Sequence, residues 1–275
     1  MNIHIKHISR MVIILLVSAC ATVPVTGRKQ FSIVPHNTIM EYSESNYHEF
    51  LQENTVITVG REVHMIREIG RHITEAVSDY FTENGQSSIL DGYRWEYNLV
   101  DKDERNAWCM PGGRVVVYTG IFDIIRNEGG LAVVMAHEVA HAIANHGNER
   151  LSQVLLAQMG GMALSSAVAS KPQQTQDLWM QVFGMGTNLG VLLPYSRVHE
   201  SEADRLGLIF MAKAGYNPGF ALEFWQRMAG LQHGSRPEEF LSTHPTDEHR
   251  MQQIRDLLPE VNGYYQNSQK QNVKF

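Results

Sequence analysis

The sequence predicts a mainly α (α+β) fold, a helical body with one small antiparallel sheet in its first half. Three observations carry this. Residues 57–83 place Val63, Ile66, Ile69, Ile73 and Val77 at three-to-four spacing, the mark of a helix with one apolar face. Two runs rich in aromatic and branched residues, YRWEYNLV (93–100) and RVVVYTG (114–120), read as strands, the second entered through the Pro111-Gly112-Gly113 turn. From Gly129 onward the pattern is almost wholly helical.

The chain opens on MNIHIKHISR, which carries Lys6 and Arg10, followed by a short apolar run and Cys20. A basic segment ahead of only about nine apolar residues describes an export signal, not a spanning helix. The residues VSAC resemble the bacterial lipobox. That resemblance implies removal of residues 1–19 as a lipoprotein signal peptide and acylation of Cys20. The other reading is an ordinary signal peptide with Cys20 incidental. Ala21 resembles the outer-membrane sorting pattern. Residues 20–35 contain Pro24, Gly27 and Pro35 without periodicity and read as a lipid-anchored tether.

One domain is expected over 36–262. Helices are expected near 36–54, 57–83, 129–146, 149–169, 174–190, 197–214, 218–231 and 247–258, with Asn217-Pro218 as an N-cap and first helical residue. The apolar run 154–169 is short for a membrane span; it reads as a buried or amphipathic helix, or as one that rests on a membrane surface. Residues 263–275 are polar and read as a flexible tail.

Hydrophobic residues make up 43% of the 275, enough for a substantial core, and the net charge of -6 argues against a nucleic-acid partner. There are two cysteines. If Cys20 is acylated, no internal disulfide is available, and Cys109 reads as a small buried apolar side chain.

The segment MAHEVAHAIANH (135–146) holds three histidines and a glutamate. His137 and His141 are four apart, so a helix stacks both imidazoles on one face, within reach of one ion. Glu138 stands about 100° around the wheel, off the ligand face yet able to reach a water at the metal. His146 falls about 180° away and about 13 Å further along a continuous helix, so it reads as a bystander, and Glu149 is further still.

A third ligand must come from elsewhere, and residues 196–215 offer one. On that helical wheel Glu200 and Asp204 lie on the inward half, beside Ala203, Gly207 and Met211. Glu202, Arg205 and Lys213 fall on the opposite, wet face. Buried carboxylates need a metal or a partner. Two readings follow: Glu200 as a ligand with Asp204 accepting an imidazole N–H, or both in a structural ion pair with a base such as Arg197.

HEVAH, PYSRVHESEAD and THPTDEHR, preceded by NAWCMPGG, together resemble the CAAX-prenyl-protease-like (Ste/Oma-type) family of zinc metallopeptidases, over roughly residues 60–258. The resemblance implies a zincin-like metallopeptidase domain with one Zn2+ held by His137, His141 and Glu200. It implies Glu138 as the catalytic base and Asp204 as partner of a ligand histidine. It also brings in His244, near the zinc, as a catalytic residue that stabilises the transition state or as a latch on the open position. A loop histidine that caps the next helix remains the plain alternative. The NAWCMPGGRVVVYTG segment resembles the substrate side, where a strand edge would pair with an extended peptide and Asn106 would bind substrate or fix the loop.

The prenyl-protease members span the membrane many times and this chain has no comparable set of spans, so the expected branch is that of bacterial periplasmic lipoproteins. The expected function is a zinc metalloendopeptidase of the cell envelope, lipid-anchored at Cys20 to the outer membrane and facing the periplasm. Its substrates would be misfolded or stalled envelope polypeptides, with the outer-membrane assembly machinery as a candidate partner. The alternative is a zinc-stabilised chaperone or assembly factor with latent proteolysis.

Overall fold

The computed structural model describes residues 20–159, 196–231, 239–245 and 247–272. The segment expected to be a signal peptide, the helix expected over 174–190 and the far end of the run 154–169 lie outside them.

The segment expected to be an irregular tether is instead a hairpin: β1 (Cys20–Thr22) pairs antiparallel with β2 (Lys29–Phe31). Its turn reverses at Val25 and Gly27, whose φ angles are 68° and 70°. The buried Val23 belongs to the main core, so the hairpin is packed down and does not swing free. Composition misled here because prolines and glycines serve tight turns as well as linkers.

Helix α1 (His36–Glu53) follows, then β3 (Val56–Ile57) and α2 (Arg61–Glu83). The apolar positions Val63, Ile66, Ile69, Ile73 and Val77 are all buried, as their spacing requires. The helix starts at Arg61 and not at 57 because Val56 and Ile57 pair into the sheet and Gly60 turns the chain at φ 128°.

Strands β4 (Glu96–Val100), β5 (Ala107–Met110) and β6 (Arg114–Tyr118) complete a sheet of order β3-β4-β6-β5. It is mixed and not antiparallel as expected. β4 runs parallel to β6, whereas β3–β4 and β5–β6 are antiparallel. The cause is β5, which was not read as a strand of its own. It forms the outer arm of a hairpin with β6, which forces β6 inward against β4. Period-two alternation splits the buried residues between two layers. Ala107, Cys109, Val115 and Val117 join the main helical core, while Trp108, Met110, Val116 and Tyr118 pack with Tyr47 and Phe50 of α1.

After the short α3 (Phe122–Ile125), α4 (Glu128–Ile143) runs through the centre with every residue from Gly129 to Ile143 buried. Then come α5 (His146–Met159), α6 (Arg197–Lys213), α7 (Phe220–Leu231), α8 (Glu239–Thr243) and α9 (Glu248–Asn272). α9 passes through Pro259 and far into the residues expected as a flexible tail. Tertiary contacts override the proline: Val261 is buried, and Ser268 Oγ and Gln269 Nε2 donate to the carbonyls of Ala212 and Gly215. Among the described residues no helix is long and apolar enough to cross a membrane.

Candidate metal centre

The site forms where α4 and α6 cross. Asn127 caps α4, its Oδ1 accepting from Gly130 N at 2.8 Å. Ser196 caps α6, accepting from His199 N. The crossing is close because Gly207 has no side chain. A Cβ there would lie 3.1 Å from the backbone nitrogen of His137. That approach lets carboxylates on α6 reach imidazoles on α4.

His137, His141, Glu200 and His244 converge, all four buried, each offering one ligand atom within 4.8 Å of the others. Donors about 2.0–2.1 Å from a tetrahedral zinc stand about 3.3–3.4 Å apart. His141 Nε2 is 3.0 Å from His137 Nε2, and these two nitrogens are each 3.4 Å from a Glu200 carboxylate oxygen. His244 Nδ1 is 3.2 Å from His137 Nε2 and 3.1 Å from Glu200 Oε1. The donor set and its edges therefore fit a zinc ion. Glu138 sits beside them, its Oε1 3.3 Å from His244 Nε2 but without a hydrogen-bond partner. A buried carboxylate oxygen left without a hydrogen bond is costly unless it has a task there.

The two glutamates are driven apart electrically. Burial pushes the Glu138 carboxyl up from its ordinary range. Burial acts on Glu200 too, but the Arg250 guanidinium, with His244 and the two α4 histidines, holds it well below the usual carboxylate range. One carboxylate is thus suited to take a proton and the other to stay charged as a ligand. Arg250 is itself buried and lies over the Trp225 ring at 3.5 Å, while Trp225 meets the His137 ring edge-on.

The model of peptidase family M48 matches residues 71–258, about two thirds of the chain. The chain belongs to peptidase family M48. It is 29% identical over 240 residues to the mitochondrial metalloendopeptidase OMA1 of Schizosaccharomyces pombe (87% of this chain, 66% of that one). It is 32% identical over 210 residues to OMA1 of Saccharomyces cerevisiae (74% and 58%). Against the beta-barrel assembly-enhancing protease of Escherichia coli it is 29% identical over 172 residues (61% and 35%). The chain thus spans two thirds or less of the length of the curated relatives it matches. Two of the three are mitochondrial, so the match establishes the M48 family and not a bacterial lipoprotein branch.

Within this M48 domain the structure places Asp204 3.1 Å from His137 Nδ1, the position expected for the partner of a ligand histidine. The basic group it meets is Arg250, not Arg197, which is exposed and pairs with Asp247. Arg250 went unassigned although it closes the THPTDEHR motif. Its place in the first turn of α9, four residues before the buried Ile254 and so on the same helical face, was the available signal. Asn106 is buried at the head of β5, where its Oδ1 accepts from Ala107 N, which fits the loop-fixing alternative.

Two assignments reverse. His146 is not a bystander on the far face. α4 ends at Ile143, Asn145 adopts φ 58°, and the chain turns so that His146 Nδ1 lies 3.0 Å from His141 Nδ1. The wheel assumed a continuous helix. Glu202 is not on a wet face; its exposure is 7%, because the N-terminal hairpin covers that side of α6 and Thr26 and Arg28 bind it.

Proposed function

We propose that this chain is a zinc-dependent endopeptidase of the cell envelope that cleaves misfolded or stalled envelope proteins. The observation that carries the reading is Glu138, a buried carboxylate free of hydrogen bonds at Oε1, set against three side chains with zinc-ligand spacing. His137, His141 and Glu200 would hold the zinc, which when bound supplies Lewis acidity for attack of water on an amide. Glu138 takes the proton of the attacking water and delivers it to the leaving amine; its raised pKa makes it the stronger base for the first transfer. Asp204 keeps the His137 ring oriented. Among the described residues β5 has one neighbour in the sheet, β6, so its outer edge is suited to pair with an extended peptide backbone.

The envelope assignment draws its support from the basic-apolar N-terminus ending in VSAC, with Cys20 as the lipid attachment, and from the Escherichia coli relative named for β-barrel assembly. The membrane anchor, the outer-membrane location and the assembly machinery as partner belong to this proposal.

His244 favours a second, compatible reading. Its Nδ1 fills the fourth corner of the donor set, and catalytic zinc sites keep that corner open. The geometry described is then a closed, latent state, from which His244 must withdraw for substrate to enter. A chaperone-like role with minor proteolysis would share this arrangement.

The test compares zinc content and casein cleavage of wild type and Glu138→Gln. The expected result is one zinc per chain in both proteins and cleavage only in wild type. Equal cleavage by the variant would remove Glu138 from the mechanism. Loss of phenotype-rescuing function in Glu138→Gln separates the peptidase from the chaperone reading.

A further inference from the structure

The two α4 histidines are supported differently on their outer sides. His137 Nδ1 faces Asp204 directly, and Asp204 is gripped by Arg250. His141 Nδ1 faces another imidazole, His146, at 3.0 Å, and the opposite nitrogen of His146 lies 3.2 Å from Glu202 Oε2. Glu202 is in turn held from the N-terminal hairpin. Arg28 Nε donates to Oε2 at 2.6 Å and Thr26 Oγ1 donates to Oε1 at 2.5 Å. Each line runs from an imidazole to a carboxylate to an arginine, and the second has one imidazole more.

The proton positions along this line follow from the metal side. If His141 Nε2 binds the ion, its single proton sits on Nδ1 and is donated to His146 Nδ1. His146 then carries its own proton on Nε2 and donates it to Glu202. The carboxylate accepts from His146, Arg28 and Thr26. Every group has a role it can fill, and the ring of His141 is fixed in tautomer and tilt. His146 is fully buried, and its ring stacks on His199 at 4.5 Å between centroids. The remaining nitrogens of Arg28 reach Glu149 at 3.0 and 2.7 Å, and Glu149 also meets His199, so the hairpin arginine clamps two carboxylates from α5 and α6.

We propose that His146 and Glu202, held in place by Arg28 and Thr26 of the N-terminal hairpin, are positioning residues for the ligand His141. The hairpin that begins at Cys20 is then part of the metal site's support and not a passive linker. The inference rests on the reading of His141 as a zinc ligand.

Zinc competition against a chromophoric chelator, on the full chain, tests it without reference to peptidase activity. Outer partners of metal-binding histidines typically change affinity about 10–100-fold when removed. Glu202→Gln should raise the zinc Kd by about that factor. Arg28→Ala should raise it several-fold, with Arg28→Lys between that variant and wild type. Cobalt-substituted Glu202→Gln should show shifted visible bands, since the imidazole at the metal is no longer held at the same angle. A purely structural role would lower the melting temperature of the metal-free chain and leave Kd and cobalt bands in place. That result in both variants overturns the proposal. Should Glu202→Gln fail to fold, Arg28→Ala decides alone, because its side chain is 26% exposed and outside the hydrophobic core. Wild type without zinc affinity would instead sink the metal-site reading, and this inference with it.

Discussion

Arg250 closes on Asp204 with two parallel hydrogen bonds, Nε to Oδ2 at 2.7 Å and Nη2 to Oδ1 at 2.8 Å. Its third nitrogen, Nη1, lies 2.7 Å from Glu200 Oε2 and donates to the Pro245 carbonyl beside His244. One buried guanidinium therefore offsets two buried carboxylates and ties α9 to the loop carrying His244. Removing one partner of a buried ion pair leaves uncompensated charge and costs about 3–5 kcal/mol. Arg250→Ala should destabilise the chain by that order in denaturant unfolding. Arg250→Lys should recover only part, because an ammonium cannot reproduce the planar fork. A loss below about 1 kcal/mol in Arg250→Ala would show that the carboxylates find other compensation.

Glu149 makes a pH prediction outside the ligand set. Burial alone would raise its carboxyl, but hydrogen bonds from His199 and Arg28 outweigh that and hold it down to about 2, against an ordinary 4.5. A group depressed on folding stabilises the protein above its unfolded pKa, and the contribution is lost as pH falls through the folded value. The window is therefore from 4.5 down to about 2. Urea midpoints measured across it should fall more steeply in wild type than in Glu149→Gln. Parallel curves would mean that Glu149 contributes no pH-linked stability.

His244 closes the donor set in the structure and stacks on Phe240 at 4.5 Å between centroids. His244→Ala removes the fourth donor and leaves His137, His141 and Glu200. Casein cleavage should rise, while zinc affinity should fall by less than in a variant of any of those three. A drop in cleavage with zinc retained would assign His244 to stabilising the oxyanion and reject the closed-site reading.

Much of the site was legible because its residues obey helical spacing. His137, Glu138 and His141 on one helix, and Glu200 and Asp204 on another, need only the 100° step to be placed correctly. What escaped depended on chain reversals. Asn145 in a left-handed conformation returns His146 to the site, and an asparagine is a weaker signal for such a helix end than a glycine. Arg28 and Thr26 meet Glu202 across more than 170 residues of sequence, so a wheel drawn for α6 alone assigned Glu202 to water. The sheet was mistaken for the same reason. Strand periodicity identifies β4 and β6, but their parallel pairing depends on β5 taking the edge.

Gly207 tests the helix crossing on which the site depends, and two effects compete there. Glycine inside a helix costs about 1 kcal/mol relative to alanine, so Gly207→Ala gains that much from the backbone. Against this, the new Cβ would stand 3.1 Å from His137 N and 3.2 Å from the carbonyl carbon and oxygen of Ala136. Those are main-chain atoms of a buried helix, which cannot rotate aside as a side-chain tip can. Overpacking of this kind costs about 1–3 kcal/mol, so the net change should be zero to about 2 kcal/mol of destabilisation, larger for Gly207→Val. Parting α4 from α6 also moves Glu200 away from His137 and His141, so zinc affinity should fall even where stability barely changes. Gly230 in α7 supplies the control, since a Cβ there meets nothing within 4 Å. Gly230→Ala should therefore stabilise by about 0.5–1 kcal/mol. If Gly207→Ala were to stabilise as much as Gly230→Ala and leave zinc affinity unchanged, the close crossing would not be what holds the two halves of the site together.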